Sequence, residues 1–181
     1  MIRSVVLFTH VVGMLLLFVG FAFEWLSLKA LRRATTLEHA ASWVRLQDML
    51  PRVYGLAIAT IFVSGVLLAR RIGAFELAWV RLALGLLLVM GILGAFVQSR
   101  LRAMRHAAGQ SGERGFESLR LASSRWLGSL LLRAAMGLAA VYLMIGKPPV
   151  NDSLVVTGVA LGTGLAAGLL TTVSRRAVSS T

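Results

Sequence analysis

The sequence predicts an all-α protein: a polytopic bundle of five transmembrane helices, with short amphipathic helices on its cytoplasmic face. Of its 181 residues, 57% are hydrophobic and 14% are charged, whereas about a quarter of the residues in a typical soluble domain are charged. The mean hydropathy is +0.81. Apolar runs of roughly 18 or more residues, which are long enough to cross a bilayer, recur along the chain.

The apolar runs divide a single domain, 1–181, into five spans. We expect them at 5–28, 53–69, 75–97, 127–145 and 154–173. Two long connections, 29–52 and 98–126, join the spans on one side of the membrane. The first run is too long for the apolar core of a signal peptide, and no small-residue cleavage site follows it. It is therefore expected to stay in the protein as a span.

Basic residues set the expected orientation. Most of the 19 Lys and Arg residues lie in the two long connections and the C-terminal tail. These segments should face the cytoplasm, with the N-terminus outside, in a bacterial inner membrane. The net charge of +12 is then expected to contact anionic lipid headgroups. Nucleic acid is not an expected partner, because no surface element that combines aromatic and basic residues is evident.

The connections contain helix signals of their own. Thr35 and Glu38 form a capping box, and Pro51 is expected to end the short helix that follows, on the inner membrane surface. The alternative is that the first two spans simply extend into the cytoplasm. In the second connection, the turn formers at 109–112 predict a break between two helical pieces.

Ionisable side chains inside the spans are candidates for function, because polar groups are costly to place at membrane depth. With a rise of about 1.5 Å per residue, Glu24 and Arg133 fall in the inner leaflet, and we expect them to form an ion pair. His10, Arg81 and Glu76 would form a polar cluster in the outer leaflet. The alternatives for the pair are a Glu24 that carries protons in transport and two side chains that reach out to the interface.

His10 is the candidate cofactor ligand, for haem or another tetrapyrrole. Imidazole is a common axial ligand of haem. Since His39 and His106 belong to the opposite side, a second ligand would have to be a methionine. The spans contain Met14, Met90, Met136 and Met144, without the Met-x-x-Met clustering that would indicate copper. The alternative is that His10 is a hydrogen-bonded packing residue.

The last span is rich in glycine and carries no charge. Gly158 and Gly162 form one pair four residues apart, and Gly164 and Gly168 form another. Such pairs let helix backbones approach closely, and at about 100° per residue the two pairs lie on different faces. This span is therefore expected to contact two neighbours, by internal packing or in an oligomer or partner contact.

Enzymatic activity is not expected. The chain has no cysteine, which removes thiol catalysis and thiolate metal sites. It also lacks the nucleophile-elbow, zinc-protease and phosphate-loop motifs of common enzymes. No metal site is predicted beyond the candidate ligand His10.

The first helix resembles that of a loose bacterial group, which includes CopD-like copper-resistance domains, HemJ-type protoporphyrinogen oxidases and uncharacterised integral membrane proteins. It shares the Leu-x-x-His start, here Leu7 and His10, and the small residues Gly13 and Gly20 that follow. The second helix ends in Ser64-Gly65, which is similar to the Thr/Ser-Gly ending of that group. In the resemblance to the oxidases, His10 corresponds to the haem-ligating histidine. Their functional lysine has no counterpart, because the basic residues inside the spans are arginines.

Three functions follow as hypotheses. The first is a non-enzymatic membrane protein, either an accessory subunit of a membrane complex or a bundle that associates with itself. The second is a haem- or tetrapyrrole-binding redox protein that uses His10, and the third is a proton-coupled transporter that uses Glu24.

Overall fold

The computed structural model describes the backbone of residues 1–34 and 37–178, and the side chains of these residues except 37–42, 44–46, 104–125 and 170–178. This part of the chain consists of four α-helices and one short 3-10 turn. The helices are α1 (Ile2–Arg33), α2 (Leu37–Arg71), α3 (Ala78–Gly146) and α4 (Val150–Val178), and the 3-10 turn covers Ala74–Glu76.

The predicted all-α architecture is confirmed. Within the described residues, five helical segments are long and apolar enough to cross a membrane, and we number them as spans one to five. They cover Ile2–Arg33, Gln47–Arg71, Ala78–Ala103, Trp126–Gly146 and Val150–Leu169. The bundle is therefore treated below as a membrane protein.

Helix α3 contributes two spans that lie side by side. A Cβ atom added to Gly94 of span three would lie 3.6 Å from Nη1 of Arg133 in span four. Since a straight helix cannot bring these residues together, the chain reverses between them. The backbone nevertheless stays helical through 109–112, where the sequence predicted a break. Consecutive spans thus alternate in direction, and we call the end that holds the start of span one the N-terminal end.

The predicted helix stop at Pro51 is wrong. Pro51 lies inside α2, which runs from the first connection directly into span two. A proline inside a helix costs about 3 kcal/mol or more, and burial of Leu50 and Tyr54 on either side offsets this cost. The structure therefore agrees with the alternative for span two, in which its helix extends beyond the span into the first connection. The capping residues Thr35 and Glu38 lie outside the described side chains.

Span three also begins later than predicted. The chain turns at Gly73, whose φ of 61° lies in the left-handed region that glycine adopts at little cost. Phe75 and Glu76 then belong to the 3-10 turn, and Leu77 is extended before α3 begins at Ala78. The turn takes the place of the first helical residues expected from apolar composition alone.

Close helix contacts depend on glycines in span one. A Cβ atom added to Gly13 would lie 3.0 Å from Cγ1 of Ile61, and one added to Gly20 would lie 2.9 Å from Cε1 of Tyr54. Both neighbours are buried residues of span two. The two glycines therefore set how closely spans one and two approach.

Span five packs at the edge of the bundle. Among the described residues, α4 makes its helix contacts with α3 alone. A Cβ atom at Gly128 of span four would lie 2.9 Å from Cα of Gly168, and one at Gly164 would lie 2.9 Å from Cα of Leu132. Gly158 and Gly162 are exposed, with no described atom within 4 Å of an added Cβ, so their packing role stays a prediction.

We expect the Gly128→Val variant to lose about 1–3 kcal/mol of stability, the usual cost of overpacking, because its Cβ would meet backbone that cannot rotate away. Thermal unfolding in detergent measures this loss as a lower transition temperature. Gly85→Val is the matched control, since Gly85 is exposed and its added side chain enters open space, so that stability should change by no more than about 0.5 kcal/mol. Equal effects of the two variants would contradict the observed contact.

Candidate functional site

The predicted ion pair lies inside the bundle, nearer the end away from the N-terminus. Nη2 of Arg133 donates a hydrogen bond to Oε1 of Glu24 at 2.6 Å, and each residue exposes 1% of its surface. The pair joins spans one and four. Because moving a charge out of water costs several kcal/mol even after relaxation, each residue needs the other in this position.

Tyr54 brings span two into the same network. Its hydroxyl donates to Oε2 of Glu24 at 2.6 Å, so both oxygens of the carboxylate have a partner. The guanidinium of Arg133 also lies over two aromatic rings, 5.6 Å from the centroid of Tyr54 and 6.0 Å from that of Phe21. Such cation–π contacts stabilise a desolvated arginine. Three spans are therefore connected at one carboxylate.

The hydrogen bonds continue away from the N-terminal end. Ser27 donates to the backbone oxygen of Glu24 at 2.9 Å and accepts from Nε2 of Gln47 at 3.1 Å. Nε of Arg133 donates to the backbone oxygen of Ser129 at 3.4 Å. A carboxylate whose two oxygens are both engaged favours a structural role for Glu24 over the proton-carrier alternative.

Removing one member of the ion pair should cost much more than removing both. We expect Arg133→Leu alone to lose about 3–5 kcal/mol, because it leaves Glu24 as an unpaired buried charge. Adding Glu24→Gln to that variant should restore part of the loss. Unfolding of the two single variants and the double variant gives the coupling energy, and additive losses would contradict the pairing.

The hydroxyl of Tyr54 is expected to contribute separately. Tyr54→Phe should lose about 1–3 kcal/mol, because Oε2 of Glu24 would be left buried without a donor. Tyr142→Phe is the matched control, since Tyr142 exposes 54% of its surface. We expect its transition temperature to match the wild type, and a Tyr54→Phe variant as stable as this control would argue against the hydrogen bond.

His10 lies nearer the N-terminal end, and both of its ring nitrogens contact a polar side chain. Nδ1 lies 2.9 Å from Oγ of Ser64, and the Ser64 hydroxyl donates to the backbone oxygen of Thr60. Nε2 lies 3.4 Å from Sδ of Met144, a sulfur that can only accept a hydrogen bond. A metal-ligating histidine commonly has one ring nitrogen held by a hydrogen bond, and Ser64 provides that contact here.

A cavity of about 290 Å³ opens beside His10. Four spans line it, and its walls include Leu7, Trp79 and Met144. Two exposed basic residues, Arg3 and Lys147, also line it at the N-terminal end. Lys147 ends α3 in the left-handed region, with φ of 44°, and Pro148 follows it. The cavity thus combines an imidazole, apolar walls and a basic rim.

The position of Met144 restricts how a tetrapyrrole could be held. Two ligands on opposite sides of one metal lie more than about 4 Å apart, because each metal–ligand bond is about 2.0–2.3 Å long. Nε2 and Sδ are 3.4 Å apart, so His10 and Met144 are not placed as an axial pair. A group held by His10 alone fits the donor set, once the flexible Met144 side chain turns away.

The predicted outer-leaflet cluster does not form. Arg81 is an exposed residue in the first turn of α3, and Nη2 of its guanidinium donates to the backbone oxygen of Glu76 at 3.1 Å. The side-chain contacts of His10 are with Ser64 and Met144 instead. The side chains of His39 and His106 lie outside the described residues.

Sequence reasoning missed the span-two partners of both polar sites. Tyr54 and Ser64 each bind a predicted residue, yet Tyr54 was not singled out and Ser64 was noted only in the resemblance of the second helix. The sequence does contain a spacing that places both residues on one helix face, because residues three and four positions apart are neighbours on a helix. The buried residues at this spacing are Tyr54, Ala57, Ile61 and Ser64. No group of three or more His, Cys, Asp or Glu residues that could hold a metal ion occurs in the described part of the chain.

No family model, curated protein or solved structure matches this chain.

Proposed function

We propose that this chain is an integral membrane protein that binds a tetrapyrrole, haem above all, through Nε2 of His10. The supporting observation is the placement of His10, whose Nδ1 contacts Ser64 and whose side chain lines a cavity with two basic residues at its rim. A bound haem would supply electron-transfer or redox chemistry. The resemblance of the first helix to HemJ-type oxidases is in line with this proposal, although their functional lysine has no counterpart in this chain.

Each part of the site has a separate role in the proposal. Ser64 fixes the ring orientation of His10, and Arg3 and Lys147 offer donors to the two carboxylates of a haem. Leu7 and Trp79 contribute apolar wall. The cavity of about 290 Å³ is at the lower limit of ligand pockets, which measure about 300–1,000 Å³, so Met144 must vacate its place beside Nε2. It therefore acts as a cap over the imidazole.

Titration of the purified protein with haem tests this proposal through its visible absorption spectrum. We expect a Soret shift that His10→Ala abolishes and Met144→Leu preserves or strengthens. Met136→Leu is the matched control, because Met136 is buried in the same span but lines no part of this cavity. A spectrum unaffected by His10→Ala would contradict the proposal.

The basic rim gives a second readout. We expect Arg3→Gln and Lys147→Gln each to weaken haem binding about tenfold, the effect of losing one charge-assisted hydrogen bond. The same variants should not weaken binding of haem dimethyl ester, which lacks the two charges. Equal losses for both ligands would show that the rim contributes packing rather than carboxylate recognition.

A second function is supported by the position of span five. In the most apolar 18-residue stretch of span five, 11% of the residues are buried, against 39% in that of span four. The exposed pair Gly158 and Gly162 leaves space for another helix. We propose that the protein is also a subunit of a membrane complex, or associates with itself, through this surface. We further propose a bacterial inner membrane, with the N-terminus outside, from the distribution of basic residues.

Native gels of mildly solubilised membranes test the association. We expect a species larger than the 19.4 kDa monomer that falls to monomer size when Gly158 and Gly162 are both replaced by leucine. Gly85→Leu is the control, because Gly85 is likewise exposed with open space around its Cβ. Two differently tagged copies that purify together would identify the partner as a second copy. A monomer in the wild type would contradict the proposal.

A further inference from the structure

A second cavity lies at the level of the ion pair and beyond it, away from the N-terminal end. It has a volume of about 260 Å³ and is lined by residues of spans one to four. Along α3 it extends from Met90 to Arg102, a distance of about 18 Å at 1.5 Å per residue. Most of its lining is apolar, with Leu17 and Ile58 as representative wall residues. It is separate from the cavity at His10.

Gln98 is the unusual residue of this cavity. It exposes 4% of its surface, and neither Nε2 nor Oε1 of its amide has a hydrogen-bond partner among the described residues. Leaving a buried polar group without a partner costs about 1–3 kcal/mol. Since Gln98 lines the cavity, a molecule in the cavity could satisfy the amide. Such a molecule would have to offer both an acceptor and a donor.

The other polar residues indicate the charge of that molecule. Ser99, Arg102 and Arg133 line the same cavity. Arg133 is neutralised by Glu24, whereas Arg102 is exposed and lies next to the end of span three at Ala103. An arginine at this depth meets the lipid headgroup region, where it attracts anionic groups. The polar end of the ligand is therefore expected to be negative.

Small residues form the wall that spans two and three present to the cavity. Gly55 comes from span two, and Gly91, Gly94 and Ala95 come from span three. Gly55 and Ala95 are exposed, and a Cβ atom added to Gly55 would meet no described atom within 4 Å. The cavity is thus reached from the outer surface of the bundle between these two spans, which in a membrane is the lipid side.

We propose that this cavity binds an anionic phospholipid. Its phosphate accepts from Arg102 and from Nε2 of Gln98, a headgroup hydroxyl donates to Oε1 of Gln98, and an acyl chain lies along Ile58 and Met90. A phosphate together with a hydroxyl is the chemistry of a phosphatidylglycerol headgroup, which is therefore the probe. This site is independent of the proposed haem site, and either can exist without the other.

Native mass spectrometry of the purified full chain tests the proposal. Phosphatidylglycerol and phosphatidylcholine with identical acyl chains are titrated in detergent, and the retained lipid is counted. We expect the wild type to prefer phosphatidylglycerol about tenfold, and Arg102→Gln to reduce that preference. Gly55→Phe should lose the bound lipid by filling the cavity. Gly85→Phe is the matched control, because it adds the same ring to an exposed glycine of span three outside the cavity.

The Gln98→Leu variant tests whether the unpartnered amide of Gln98 belongs to a lipid-binding site or is only a packing defect. Without added lipid, this variant should unfold at the same or a higher temperature than the wild type, because an unpaired amide is replaced by an apolar side chain. It should nevertheless lose the stabilisation that phosphatidylglycerol gives to the wild type. Equal lipid retention in Gly55→Phe and the wild type would overturn the proposal. Binding of oleate without binding of phosphatidylglycerol would also overturn it.

Discussion

The buried carboxylate of Glu24 is the constraint on which the rest of the bundle depends. Within a low-dielectric interior, it is held by a guanidinium from span four and a hydroxyl from span two. These bonds fix the relative depth of three helices, because a shift of one helical turn would separate the groups by about 5.4 Å. Apolar packing alone would tolerate such a shift more readily, since neighbouring lipid is as apolar as the helix surfaces.

With the helices held at that level, the two ends of the bundle are free to differ. Towards the N-terminal end, spans one, two and four bring together an imidazole, a hydroxyl and a thioether, from His10, Ser64 and Met144. Towards the other end, a cavity contains an amide without partners at Gln98. The polar network borders this second cavity, because Tyr54 and Arg133 help to line it.

The all-α fold and the five spans could be predicted from the sequence, because each membrane span is a long apolar run. The Glu24–Arg133 pair could also be predicted, since depth follows from counting residues along straight helices and two opposite charges in one leaflet have few other partners. Depth counting failed for Arg81, because the 3-10 turn at Ala74–Glu76 moves it into the first helical turn. The helix-stop signal failed at Pro51, which lies inside α2 between the buried residues Leu50 and Tyr54.

The partners of the predicted residues could not be found by counting alone. Tyr54 and Ser64 have ordinary side chains that occur often in spans, and their roles depend on which face of α2 meets span one. Gly13 and Gly20 determine which face of α2 packs on span one, because the absence of a side chain at these positions leaves room for Ile61 and Tyr54. The exposure of Gly158 and the burial of Gly164 likewise depend on the side from which span five meets its neighbour.

The ion pair also has a consequence for biosynthesis. Glu24 and Arg133 are 109 residues apart, which corresponds to about 5–20 s of synthesis at about 5–20 residues per second. During that interval the first helix must be accommodated without its cationic partner. Of the two side chains that bind Glu24, Tyr54 is synthesised first, because it follows Glu24 by 30 residues. Nascent chains that end before Arg133 should therefore depend on the insertion machinery or a chaperone to shelter the carboxyl group. The bundle would become self-sufficient only once span four has entered the membrane.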